Sequence, residues 1–337
     1  MTPQVSALGA DRLAVLDGWR AISILSVLAG HLLPINPVIP GGNDAAGAFG
    51  MAVFFCLSGF LITRFLLDRP DWRPFLIRRA LRILPLAWVA MILIYAMDWP
   101  DVAPHALAAN LGFVANLPPA ALFESGAHLW SLCVEMQFYL AIALLVALAG
   151  RRGLLALPAL ALLSTAARIA YGETISIITW FRIDEILVGA TLALVYSGAL
   201  GARAQGWLKG THIYLAAPVA LLLSYAIDTP FAYLRPYGVA LMVGSTLTNA
   251  PLLVGRILSS AIASYIAAVS YALYVIHVPL THTWLGSGDL AEKYLKRPLL
   301  IAATFGLAHA STYWFEKRFI DLGKRLTTRR DPLQFQL

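Results

Sequence analysis

Long apolar stretches follow one another along almost the whole chain, each closed by a short polar or basic segment. Runs of roughly 15 to 24 residues recur, long enough to cross a hydrocarbon core about 30 Å thick. They are continuous and lack the two-residue alternation of a barrel strand. In lipid, where every backbone polar group must be satisfied internally, that leaves helices. The pattern predicts ten spans, at 14–34, 48–67, 75–97, 127–149, 153–170, 176–198, 211–228, 234–250, 260–284 and 298–316. The segment 102–118 is apolar but short and proline-flanked, and reads as an outer-face or re-entrant helix. Were it to span, the count would be eleven and everything after it would invert. The predicted fold is an all-α, polytopic helical bundle forming a single domain over 1–337, with 318–337 as a short cytoplasmic tail.

Composition and charge agree. Of the 337 residues, 59% are hydrophobic and 13% charged, against about 25% charged in soluble domains. The net charge of +7 does not point to nucleic acid, because the basic residues cluster between the apolar runs, as topology signals do. With ten spans and a cytoplasmic N-terminus, the inside receives Arg12, Arg20, Arg64, Arg69, Arg73, Arg78, Arg79 and Arg82. It also receives Arg151, Arg152, Arg203, Lys209, Arg256, Lys317, Arg318, Lys324, Arg325, Arg329 and Arg330. The outside and outer leaflet keep Arg168, Arg182, Arg235, Lys293, Lys296 and Arg297. Both termini are therefore expected in the cytoplasm. Cys56 and Cys133 sit inside apolar runs and read as small core residues. The first span carries some marks of a signal peptide, but its terminal histidine and nine further spans favour a retained helix.

Ionisable groups at membrane depth are costly, and each is a functional candidate. Arg20 and His31 lie eleven residues apart, three turns and about 16 Å on one face of the first span. His31 is either a proton acceptor near neutral pH or an interfacial histidine bonded to a neighbouring helix. Arg78, Arg79 and Arg82, at i, i+3 and i+4 spacing, suit a phosphate clamp or a lipid-headgroup anchor. His128, Ser131 and Glu135 share a face of the fourth span, and the carboxylate there must be neutralised, protonated or paired. Arg182, Asp184 and Glu185 place three charges within four residues of the sixth span, where Arg182 and Glu185 can pair. Ser58-Gly59-Phe60 marks a point of close approach. His105, His212 and His309 are isolated, and His277 and His282 do not share a face well. No metal-ligand spacing, P-loop or dinucleotide fingerprint occurs.

Taken together, five segments resemble the acyltransferase-3 family of bacterial membrane acyltransferases, which O-acylate sugars, polysaccharides, lipid-linked glycans or macrolides. They are Leu16-Asp17-Gly18-Trp19-Arg20 through His31, Val53 to Thr63, Arg78 to Pro85, His128 to Tyr139 and Ser270 to His277. The resemblance implies that His31 is the essential histidine of an Arg-x10-His pattern with Arg20, and that Arg79 and Arg82 form the Arg-x-x-Arg pattern. It places the Ser-Gly-Phe motif on Ser58, Gly59 and Phe60, and the fourth-span glutamate on Glu135. Met136 stands where the family usually doubles that glutamate. The chain resembles the stand-alone branch, without the C-terminal extracytoplasmic domain of many members.

The resemblance implies acyl-CoA, commonly acetyl-CoA, as donor co-substrate, no permanently bound cofactor, and a glycan or other hydroxyl acceptor. On this reading Arg20, Arg78, Arg79 and Arg82 hold the cytoplasmic donor's phosphates while its pantetheine passes Gly59. His31 is then the general base, Glu135 orients it or holds the acceptor, and His128, Ser131, Arg182, Asp184 and Glu185 line the acceptor side. The expected location is the bacterial inner membrane, among lipids. A transporter or flippase of a lipid-linked glycan suits ten charged helices equally well on physics, although no related halves are visible. A structural envelope subunit is a third reading.

Overall fold

The computed structural model describes residues 4–327, with side chains from residue 14 onward. Arg329, Arg330, the side chain of Arg12 and the end of the predicted tail lie outside the described residues. Within them the chain forms fifteen α-helices and no strand, the all-α bundle that continuous apolar runs require. In order they are α1 (Gln4–Leu32), α2 (Gly42–Asp68), α3 (Trp72–Met97), α4 (Pro104–Leu111), α5 (Trp130–Gly153) and α6 (Leu157–Tyr171). Then come α7 (Thr179–Arg182), α8 (Asp184–Tyr196), α9 (Ala202–Lys209), α10 (Ile213–Tyr225) and α11 (Arg235–Asn249). The last four are α12 (Leu252–Leu258), α13 (Ala261–Thr281), α14 (Leu290–Ala310) and α15 (Lys317–Thr327). Polar caps start several of them: the side chains of Asp71, Ser260 and Asp289 accept hydrogen bonds from the backbone N–H of Arg73, Ala263 and Glu292.

Five helical segments among the described residues are long and apolar enough to cross a bilayer, or six if α11 and α12, bent by 107°, count as one span. The ten apolar segments of the sequence are therefore not ten long helices. The predicted spans at 14–34, 48–67, 75–97, 127–149 and 260–284 coincide with long apolar helices, and the rest are shorter, broken or charged. The helical run from Ala127 to Tyr171 is 45 residues, which if straight would measure about 67 Å, twice the hydrocarbon thickness. It is broken at Gly150, whose φ of 58° and ψ of −154° are not helical. The predicted sixth span is interrupted at Ile183, between α7 and α8, where the charged triplet falls. The interruption is slight, because Ile183 keeps helical dihedrals, donates its N–H to the Thr179 carbonyl and accepts from the Leu187 N–H. In the 102–118 segment α4 has eight residues, about 12 Å of helix, too short to cross by itself.

Helix α2 is the hub. It packs most extensively on α1 and α8 and also meets α5, α10 and α11. Glycines permit the tightest of these contacts. A Cβ on Gly59 would lie 1.9 Å from the carbonyl oxygen of Ile186, and one on Gly189 would lie 2.1 Å from that of Cys56. The two backbones thus touch through a reciprocal pair of glycines, as helices in lipid do when small residues face each other. Gly59 faces α8 and not a ligand channel, which corrects its expected part in donor binding. Phe60 is fully buried and packs edge-on against Tyr196, so it too belongs to the core.

This packing generates a prediction. Gly59→Ala pushes α2 off α8 and is expected to cost about 1–3 kcal/mol, read as a lower melting temperature in detergent. Gly47→Ala, on the same helix with open space around its position, is the neutral control. Equal melting of the two variants would remove the glycine contact as a determinant of stability.

Candidate active site

Helices α1, α2, α3, α5 and α13 surround two cavities that lie end to end. The smaller, about 70 Å³, is lined by Arg20 of α1, Ser58 of α2, Arg79 and Arg82 of α3, and Glu135 and Tyr139 of α5. The larger, about 1110 Å³, is lined among others by His31, Asn43, His128, Trp130, Arg182 and Arg297. Val27, Met51 and Tyr274 line both, so one layer of side chains separates them.

At the arginine end, three guanidiniums from two helices share a cavity with a buried carboxylate. Glu135 accepts a hydrogen bond from the Ser58 hydroxyl at 2.5 Å and another from the Tyr139 hydroxyl. Arg79 lies over the Tyr139 ring with its Cζ 5.7 Å from the centroid, and Arg20 has Asp17 at 3.7 Å. Ser58 is the member of its motif that lines this cavity. Arg78 does not line this cavity. Its Nε donates to the Thr327 hydroxyl of α15 at 2.6 Å, so it ties the last helix to α3.

At the other end, His31 meets a histidine from the far end of the sequence. The Nδ1 of His31 and the Nε2 of His277 are 2.8 Å apart, with the rings stacked at 5.1 Å. The His277 Nδ1 lies 2.7 Å from the Tyr274 carbonyl oxygen and 3.1 Å from that of Leu273. Carbonyls only accept, so the proton of the neutral His277 ring sits on Nδ1 and its Nε2 is an acceptor. His31 must then donate from Nδ1, which leaves the lone pair on its Nε2. His277 thus fixes the tautomer of a histidine whose ring lines the larger cavity. His277 closes the Ser270–His277 segment of the family resemblance, but nothing local to it assigns a role, because its partner lies 246 positions away. Glu135, expected beside His31, instead has Ser58 and Tyr139 as its partners.

His128 stands against this dyad, its ring centroid 5.1 Å from that of His277, with neither ring nitrogen hydrogen-bonded. Ser131 does not face the acceptor side as expected. The Tyr274 hydroxyl donates to the His128 carbonyl oxygen, so at 2.6 Å it accepts from Ser131. Ser131 therefore orients Tyr274. Among the described residues no three His, Cys, Asp or Glu side chains converge to hold a metal ion.

The charged triplet is divided in the same way. Asp184 and Glu185 are fully buried and serve as counterions, away from the cavity wall where they were expected. Asp184 pairs with Arg168 at 2.6 Å, and Glu185 with Arg235 at 3.0 Å and Arg182 at 3.4 Å. Arg168 and Arg235, read from the sequence as outer-leaflet charges, are wholly buried partners across α6, α8 and α11. A lone charge inside an apolar run was the signal for each. Of the triplet, Arg182 alone lines the larger cavity.

A family model described as an acyltransferase domain matches residues 13–316. Among curated proteins, the chain is 27% identical over 371 residues to a Bacillus subtilis protein, YrhL, named as a candidate peptidoglycan O-acetyltransferase. That match covers 94% of this chain and 56% of the relative. It is 25% identical over 353 residues to the peptidoglycan O-acetyltransferase OatA of Listeria monocytogenes, covering 89% of this chain and 54% of the relative. A candidate O-acetyltransferase of Staphylococcus aureus is 33% identical over 146 residues, covering 37% of this chain and 23% of that protein. The chain thus spans about half the length of the first two relatives. No solved structure matches it. With the motif residues gathered around two adjoining cavities and the family model covering nearly the whole chain, this multi-pass membrane protein belongs to the acyltransferase-3 family.

Proposed function

We propose that this protein transfers an acyl group, acetyl by its relatives' names, from a CoA thioester to a hydroxyl of a cell-envelope glycan. The observation that carries the reading is the His31–His277 pair, whose free imidazole nitrogen belongs to the large cavity one side-chain layer from the arginine-lined one. The basic bias of the loops supports a cytoplasmic location for the arginine end and an inner-membrane setting. The donor's phosphates are held by Arg20, Arg79 and Arg82, whose planar forks match phosphate oxygens. Glu135, held by Ser58 and Tyr139, fixes the wall against which these arginines lie.

For the thioester to reach His31, the layer of Val27, Met51 and Tyr274 must part. Met51 is the unbranched, adaptable member of that layer. The acceptor hydroxyl gives its proton to Nε2 of His31 as its oxygen bonds to the thioester carbonyl carbon. The tetrahedral adduct then collapses, the carbon–sulfur bond breaks, and His31 returns the proton to the departing thiolate. His277 accepts the Nδ1–H throughout and keeps the imidazole aligned while it is charged. Base assistance of this kind is worth about 10²–10⁴ in rate, and alignment of the bound reactants adds to it.

Purified full-length chain in lipid nanodiscs, given acetyl-CoA and a glycan acceptor, is expected to release free thiol and yield the O-acetyl ester. His31→Ala should lower kcat by about 10²–10⁴ with normal membrane insertion, and near-wild-type turnover would take His31 out of the chemistry. His277→Leu should lower kcat with KM little changed. His277→Gln, which retains an acceptor oxygen, should recover part of that loss, and equal effects of the two would show that His277 acts only by filling space. Each of Arg79→Ala and Arg82→Ala should raise the dissociation constant for a non-hydrolysable acetyl-CoA analogue by about tenfold or more. Unchanged affinity in both would remove the clamp.

A further inference from the structure

Arg182 is about 1% exposed, yet its Nε and Nη1 have no hydrogen-bond partner. Its remaining nitrogen lies 3.4 Å from Glu185, and its guanidinium stacks over the Trp130 ring at 5.3 Å. Both Arg182 and Trp130 line the larger cavity. The surrounding network contains three buried guanidiniums, on Arg168, Arg182 and Arg235, against two carboxylates, on Asp184 and Glu185. One positive charge is therefore uncompensated. Arg168 is fully used, by Asp184 and by the carbonyls of Glu173 and Thr174. Arg235 also has an unpaired Nη1, but it does not line the cavity. The excess charge thus reaches the cavity through Arg182. At the rim, Lys293 and Arg297 offset Asp44 and Asp228, and the Nε and Nη1 of Arg297 are unpartnered as well.

A desolvated guanidinium with two unpartnered nitrogens is best compensated by a paired anion, and this one lines the cavity that holds His31 of the histidine dyad. We propose that the larger cavity receives an acceptor sugar bearing a negatively charged group, a carboxylate or a phosphate, seated on Arg182 with Arg297 at the rim. The inference rests on the acyl-transfer reading above and adds the class of acceptor. His128 stands on the same wall against the dyad. An acceptor anchored by its anion at Arg182 is thereby held in the space that a hydroxyl must occupy to meet His31.

Three probes sharing one ring separate the possibilities in calorimetric titrations of the full chain in nanodiscs: N-acetylmuramic acid, N-acetylglucosamine 1-phosphate and neutral N-acetylglucosamine. The two anionic sugars, or one of them, should bind at least about tenfold tighter than the neutral one. The tighter of the two identifies carboxylate or phosphate as the preferred group. Arg182→Gln should abolish the preference and Arg297→Gln should reduce it. Equal binding of all three sugars, no binding of either anionic sugar, or a folded Arg182→Gln protein that keeps the preference would each overturn the proposal. If Arg182→Gln does not fold, the wild-type comparison and Arg297→Gln decide. Binding of an acetyl-CoA analogue, measured on the same preparation, tests the acyl-transfer reading separately: its loss sinks that reading, whereas a missing anion preference with intact donor binding sinks only this one.

Discussion

Inside this bundle most buried carboxylates are set against groups on another helix, and that requirement shapes how the helices are arranged. Arg168, Arg182 and Arg235 arise from three helices, and the two carboxylates that hold them occupy the first turn of α8. Water cannot compensate these groups at membrane depth, so α6, α8 and α11 must be brought into register around them. Arg182 and Glu185, one turn apart, face each other at 3.4 Å. Glu135, between Ser58 and Tyr139, ties α2 to α5 on a smaller scale.

Two different kinds of contact meet at α2. On one side Gly59 and Gly189 bring its backbone against α8, where side chains are excluded. On another, one residue away, Ser58 turns its hydroxyl into the smaller cavity. A three-residue motif thus divides its work. The serine contributes chemistry, the glycine sets the distance between helices, and Phe60 fills the space behind. The histidine dyad is built on the same economy, because α13 supplies both His277 and the carbonyls that fix its tautomer.

The helical class, the apolar segments and the sharing of one cavity by Arg20, Arg79 and Arg82 were legible in the sequence, since each depends on composition or a short motif. What was not legible depends on pairing across the chain. His277 carries no local sign of its partner on α1. Arg168 and Arg235 look like isolated boundary charges until Asp184 and Glu185 are set beside them. The number of long spans was obscured for another reason: hydropathy scores composition over a window, and some apolar segments form helices too short to cross, such as α10 with 13 residues. Arg78 shares a helix face with Arg82, but a contact that no local pattern shows, with Thr327 of the last helix, occupies it.

The partition formed by Val27, Met51 and Tyr274 has a further consequence for the cell. On the proposed orientation, the hollows on its two sides open toward opposite aqueous phases. A permanent hole there would short-circuit the ion gradients on which the membrane depends. On the proposed function, an acyl group has to cross while the layer still insulates, and a septum one side chain deep is about the thinnest that can do both.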